Sequence, residues 1–150
     1  MLSITRILVP TDFTETSDRA LDYAIALAEK VGAKVTVMHA YEIPIVGFPD
    51  GALIATADVA TRIANVSQEA LDALVKRRAV GGVTFDAILR DGVAYEEIGK
   101  VADEIGADLI IIGTHGRRGI ARALLGSVAE NVIRTSTRPV LTIHGPRAST

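Results

Sequence analysis

The chain has 150 residues, 49% of them hydrophobic but only 4% aromatic, with no cysteine and a formal net charge of −2. That length suits one domain with a sizeable core, and the charge provides no general attraction to nucleic acid or anionic membrane. Absence of cysteine excludes disulfides, thiolate catalysis and thiolate-bound metals, and no apolar run approaches the roughly 18 residues needed to span a bilayer.

The start, MLSITRILVPTDF, reads as the approach to a strand and not as a secretion signal. A soluble protein of the cytoplasm is expected. Residues 6–10, RILVP, form the first strand, closed by a proline. Over 16–31, Ala20, Leu21, Ala24, Ile25, Leu27, Ala28 and Val31 recur at the spacing of one helical face. Thr16 or Ser17 is placed to cap that helix and Gly32 to end it. KVTVMHA (34–40) is the second strand, and YEIPIVGFPDGA (41–52), with two prolines and two glycines, reads as a loop. A longer helix covers about 56–80, with Ile63, Val66, Ala70 and Leu74 on its inner face and Gly81-Gly82 stopping it. VTFDAILR (83–90) is the third strand, and Asp91-Gly92 a turn. AYEEIGKVADEIG (94–106) gives a third helix, with Glu96 and Glu97 on its solvated face. ADLIIIG (107–113) is the fourth strand, a helix follows around 127–136, and RPVLTIH (138–144) is the fifth strand. One domain over 1–144 and a flexible tail over 145–150 are expected.

Strands that are apolar throughout, alternating with helices, imply a doubly wound parallel sheet with helices on both faces. In such sheets ligands sit where the winding reverses, beyond the carboxyl ends of the strands. Two loops with unusual chemistry leave strand ends: PTDFTETS after the first strand and GTHGRRG after the fourth. With strand order 3-2-1-4-5 those strands are neighbours and the loops face one another.

The segment IIIGTHGRRGIARALLGSVAENV (110–132) places Gly113 and Gly116 three residues apart and Gly126-Ser127 ten further on. An anion, phosphate above all, is best held by several backbone N–H groups and a helix N-terminus. Gly113 and Gly116 can adopt positive φ and admit a ligand close to the main chain. Ser127 can cap the following helix or donate to a phosphate oxygen, with the amides of Val128 and Ala129 behind it. Neither G-x-G-x-x-G nor G-x-x-x-x-G-K-[ST] is present. The plainer alternative is that the glycines only end a strand and break a helix.

Gly113-x2-Gly116-x9-Gly126-Ser127 resembles the G-2x-G-9x-G(S/T) signature of the ATP-binding branch of the universal stress protein family. ILVPTDFTETSDRAL, VMHA and VAENVIRTSTRPVLTIH are similar to it as well. The resemblance implies a single-domain five-stranded sheet in the order 3-2-1-4-5, like that of adenine nucleotide alpha hydrolases, and a homodimer. It also implies ATP, with Mg2+ or Mn2+ held mainly by the phosphates. Carried over by residue, Pro10 and Thr11 line the nucleoside pocket, Asp12 bonds the ribose hydroxyls, and Ala40 presents its backbone to adenine. Gly113, Thr114, His115, Gly116, Arg117, Arg118 and Gly119 wrap the phosphates from one side. Gly126, Ser127, Val128 and Ala129 close the other.

Plainer roles compete. Asp12 suits an ordinary turn, His39 a structural hydrogen bond at a strand end, and Arg117 and Arg118 a solvated surface. His115 lies within reach of a phosphate and titrates near neutrality. No motif lysine or metal-holding carboxylate accompanies the loop, so binding is expected and at most weak ATP hydrolysis. The leading reading is a regulatory ATP-binding module whose occupancy alters conformation or partner choice. The alternatives are a slow ATP hydrolase or phosphotransferase, and a dimeric interaction module with a vestigial pocket. If the fifth strand lies at a sheet edge, its open backbone is best covered by a second copy through 138–144. Neither nucleic acid nor membrane is an expected partner.

Overall fold

The structure, a computed structural model, describes residues 1–44, 46–47, 49, 53–54, 57–79, 81–114 and 125–145. In chain order these form β1 (Arg6–Pro10), α1 (Glu15–Val31), β2 (Lys34–Tyr41), β3 (Val46–Gly47), β4 (Leu53–Ile54) and α2 (Ala57–Arg78). There follow β5 (Phe85–Asp91), α3 (Ala94–Ile105), β6 (Leu109–Gly113), α4 (Ser127–Thr135) and β7 (Val140–Ile143).

Five strands make one parallel sheet in the order β5-β2-β1-β6-β7, which is 3-2-1-4-5 when only its own strands are counted. β1 pairs with β2 on one side, Val9 opposite Val37, and with β6 on the other, Leu8 opposite Ile110. The winding therefore reverses between β1 and β6. β3 and β4 form a separate two-residue antiparallel ladder, so the segment expected to be loop holds a small hairpin.

Because strand side chains alternate in direction, the sheet supports two cores. Ile7, Val9, Val35, Val37, Leu109 and Ile111 pack with α1 and α2 through Leu21, Ala24, Leu71 and Leu74. Leu8, Met38, Ile110 and Ile112 pack on the opposite face with α3 and α4 through Ile98, Val101, Ala129 and Val132. Strands covered on both faces need apolar residues at every position, and that is the pattern of IIIG and RILVP.

Local chemistry corrects several expectations. α1 is capped by Thr14, whose side chain accepts from the Ser17 amide, and not by Thr16 or Ser17, which are buried inside its first turn. Gly32 ends α1 with φ of 71°, as its lack of a Cβ allows. Val31 is exposed at its end. On α2 the expected face is inward at Leu74, which is buried, and at Ile63 and Ala70, which are half-buried; Ser67 and Leu71 are buried beside them, whereas Val66 is 60% exposed. Glu97 is buried, not solvated. It lies over Gly92, where a Cβ would come within 2.9 Å of its Cγ, and its Oε1 receives the Lys100 ammonium at 2.8 Å. That bond holds the Lys100 pKa above its ordinary value. Among the described residues, no helix is long and apolar enough to cross a membrane.

Candidate functional site

A cleft opens beyond the carboxyl ends of β1 and β6, where the sheet reverses. Its interior volume is about 140 Å3, inside a concavity of about 660 Å3 that includes open solvent at the mouth. Pro10, Thr11 and Asp12 line one side, Gly113 and Thr114 the floor, and Gly126, Ser127, Val128 and Ala129 the other side; Ala40 completes the wall at the end of β2. Every described residue singled out from the sequence for binding thus meets in one cavity. His115, Gly116, Arg117, Arg118 and Gly119 lie outside the described residues. So do residues 146–150 of the expected tail.

The turn after β1 is held by a chain of side-chain hydrogen bonds. The Thr11 amide continues the sheet by donating to the Met38 carbonyl at 2.8 Å. Its hydroxyl oxygen accepts the Phe13 amide at 3.0 Å and lies 3.2 Å from Ser17 Oγ. Since Ser17 donates its proton to the Thr14 carbonyl at 2.9 Å, the Thr11 hydroxyl is the donor in that pair. Asp12 Oδ1 accepts both the Thr14 amide, at 3.1 Å, and the Thr14 hydroxyl. The turn role weighed for Asp12 is therefore real. It occupies one carboxylate oxygen and leaves the residue on the cleft wall, only half-buried. His39 Nδ1–H donates to the Thr11 carbonyl at 2.7 Å, the structural hydrogen bond expected of a histidine at a strand end.

Opposite this turn, Gly126 is the N-cap of α4, with φ of −59° and ψ of 152°, and Ser127 is the first helical residue. Ser127 therefore does not cap the helix as expected, and the cap residue has no side chain to accept from the first-turn amides. The Glu130 amide makes the first bond along the helix, to the Gly126 carbonyl at 2.9 Å. The amides of Ser127, Val128 and Ala129 precede that bond, and the helix itself supplies them no acceptor. An α-helix start of this kind favours negative charge.

Gly113 does not have the positive φ expected of it. Its hydrogen faces α1, where a Cβ would lie 2.9 Å from Thr16 Cγ2 and 3.0 Å from the Thr16 carbonyl carbon and oxygen. The glycine lets the first turn of α1 rest against the end of β6. Thr114 ties three elements together. Its amide donates to the Ile143 carbonyl at 3.0 Å, its carbonyl accepts the Gly126 amide, and its hydroxyl lies 3.3 Å from His144 Nδ1.

Sequence reasoning did not find Ser17, Met38, Ala94, Ile98 and Ile112 as lining residues. Ala94 and Ile98 stand one turn apart at the start of α3, and their spacing was legible as a helix face, but not its end-on approach to the cleft.

The universal stress protein family model matches residues 3–144 of the chain. The chain belongs to the universal stress protein family. Universal stress protein MJ0531 of Methanocaldococcus jannaschii is 35% identical to it over 144 residues, 95% of this chain and 83% of that protein. The solved structure of MJ0577, a universal stress protein of the same organism, superposes with a TM-score of 0.80 at 27% identity, covering 97% of this chain and 99% of that one. A universal stress protein solved in complex with cAMP superposes with a TM-score of 0.71 at 29% identity, covering 96% and 99%. The fold read from the sequence is the fold these family members share.

Proposed function

We propose that this universal stress protein binds ATP in the cleft at the β1/β6 switch point and works as a regulatory module in the cytoplasm. In this reading, occupancy tunes conformation or partner binding. The observation that carries it is the convergence of two sequence-remote segments on one cavity: the Thr11–Asp12 turn on one side, the uncapped start of α4 on the other. The oxygen of Asp12 not taken by Thr14 suits a ribose hydroxyl. The apolar wall of Met38, Ala40, Ile98 and Ile112 suits a planar base. The first-turn amides of α4 suit phosphate oxygens, with bonds to a charged group worth about 1.5–3 kcal/mol each. A related protein in complex with cAMP supports an adenine nucleotide in particular.

Among the described residues, no three His, Cys, Asp or Glu side chains gather around a common point. Mg2+ or Mn2+ accompanying the nucleotide is held in this reading by phosphates and water, as is common for Mg2+. The branch of the family defined by the G-2x-G-9x-G(S/T) signature follows as part of the proposal. So does a homodimer through 138–144, because β7 has β6 on one side only and stands at the edge of the sheet.

Calorimetric titration with ATP tests the site. Gly126 lines the cleft and has backbone angles that valine tolerates, so Gly126→Val adds bulk at the cleft wall without backbone strain, and an unchanged circular dichroism spectrum checks that the fold is kept. We expect wild type to bind and the affinity of Gly126→Val to drop by about tenfold or more. Equal affinity in both proteins rules the site out.

A further inference from the structure

His39 belongs to the wall of the cleft by its position, but its side chain belongs to the other face of the sheet. Along β2, Val35 and Val37 enter the core beneath α1 and α2, and Met38 enters the opposite one. Alternation puts His39 on the side of Val37. Its ring accordingly lies 4.5 Å from that of Phe13, which packs against the same α1 and α2 core.

From behind the sheet, His39 reaches the chain immediately before Asp12. Its Nδ1–H donates to the Thr11 carbonyl at 2.7 Å, and that carbonyl is part of the peptide unit leading into Asp12. Phe13, immediately after Asp12, has a left-handed φ of 63°, uncommon for a residue with a bulky side chain. Its amide is bound to the Thr11 hydroxyl and its ring rests on His39. Asp12 is thus braced on both sides by one imidazole, which donates its N–H to one neighbour and meets the ring of the other at a tilt of 46°.

We infer that His39 is a positioning residue for the nucleotide site. Without touching the ligand, it sets the plane of the Thr11–Asp12 peptide and so the direction in which Asp12 presents its carboxylate. The inference rests on the nucleotide-binding reading of the cleft for its effect on affinity. The bond to Thr11 exists independently of that reading.

Two substitutions separate donor from bulk. Asparagine carries an N–H donor as many bonds from Cβ as Nδ1 and lacks the ring. Phenylalanine keeps a ring against Phe13 and has no donor. ATP titrations on the full chain are expected to show His39→Phe weakened about fivefold to tenfold, the effect of one misaligned hydrogen bond. His39→Asn is expected within about twofold of wild type. In an Asp12→Ala background, His39→Phe adds no further loss. Amide exchange without nucleotide supplies an independent reading: the Thr14 amide, bound to Asp12 Oδ1, exchanges faster in His39→Phe than in His39→Asn. Unchanged affinity with unchanged Thr14 exchange in His39→Phe overturns the inference. So does a penalty that persists in full without the Asp12 carboxylate, because His39 then acts on the whole fold. If wild type takes up no ATP, the nucleotide reading fails, and Thr14 exchange alone decides whether His39 orients Asp12.

Discussion

Replacing Gly113 with alanine tests how the cleft floor is built. The added methyl would lie 2.9 Å from Thr16 Cγ2 and 3.0 Å from the Thr16 carbonyl carbon and oxygen. Carbon atoms in contact prefer about 3.5–4.0 Å, so the first turn of α1 must retreat by about 0.5–1 Å. Overpacking of this kind costs about 1–3 kcal/mol. Against it stands the relief of removing glycine from a strand, about 0.5–1 kcal/mol. The net expectation is a loss of about 1–2 kcal/mol, which lowers Tm by roughly 2–8 °C in a domain of this size. Two of the three contacts are to backbone, so Thr16→Ser in the same chain recovers only part of the loss. The displaced turn carries Ser17, which pairs with the Thr11 hydroxyl, and adjoins the Thr14 cap, which bonds Asp12, so ATP affinity falls together with Tm. Melting by circular dichroism with parallel ATP titration is the assay. A Gly113→Ala protein with wild-type Tm and affinity would refute the claim that this glycine serves helix packing.

Gly92→Ala meets Glu97 Cγ and Oε1 at 2.9 Å and must hold φ near 151°, so it destabilises by about 1–2 kcal/mol; an unchanged melting curve contradicts this. Asp108 Oδ2 accepts the Thr5 amide at 2.8 Å, the Thr5 hydroxyl at 2.9 Å and the Arg6 amide at 2.9 Å. These bonds, the Thr5 amide foremost, lower its carboxyl pKa. A depressed folded pKa gives stability that is complete above the unfolded value, about 3.9, and is lost as pH falls through the folded one. Asp108→Asn therefore lowers stability at neutral pH, by less than the about 1 kcal/mol of a typical hydrogen bond because solvent screens this exposed carboxylate, and flattens the acid limb of a Tm-against-pH curve. Its ATP affinity stays at the wild-type level, because Asp108 lies at the other ends of the strands; a parallel acid limb or an altered affinity counts against the assignment. For the proposed dimer, Pro139 and Ile143 carbonyls accept from β6-side amides, so the alternate Thr142 N–H points outward from β7. Thr142→Pro removes that donor while sparing the ladder to β6. Light scattering is expected to give a dimer before and a monomer after, and an unchanged dimer moves the interface elsewhere.

The parallel sheet was legible because β1 and β6 are covered on both faces, which forces the runs ILV and LIII to be apolar throughout, whereas the strand order came from the family resemblance. The cleft was legible because a reversal between β1 and β6 brings the two unusual loops together in any sheet of this order. What escaped depended on neighbours remote in sequence. Three hydroxyls compete to cap α1, and Thr14 wins through its place beside Asp12 and Ser17. Gly113 looks like a positive-φ glycine that admits a ligand until Thr16 is found beneath it. Glu97 reads as solvated beside Glu96, yet the space above Gly92 accepts its stem while Lys100 meets its charge. On α2, Val66 and Ser67 are adjacent, and it is the packing of the helix on β2 and β5 that buries the serine.

The most direct measurement is a map of amide chemical shifts of the isotope-labelled protein during titration with ATP. The account predicts saturable shifts at Asp12, Ala40, Ser127, Val128 and Ala129 together, with Asp108 and the other amino-terminal strand ends unmoved. Shifts confined to those strand ends, or to only one side of the β1/β6 cleft, would contradict it.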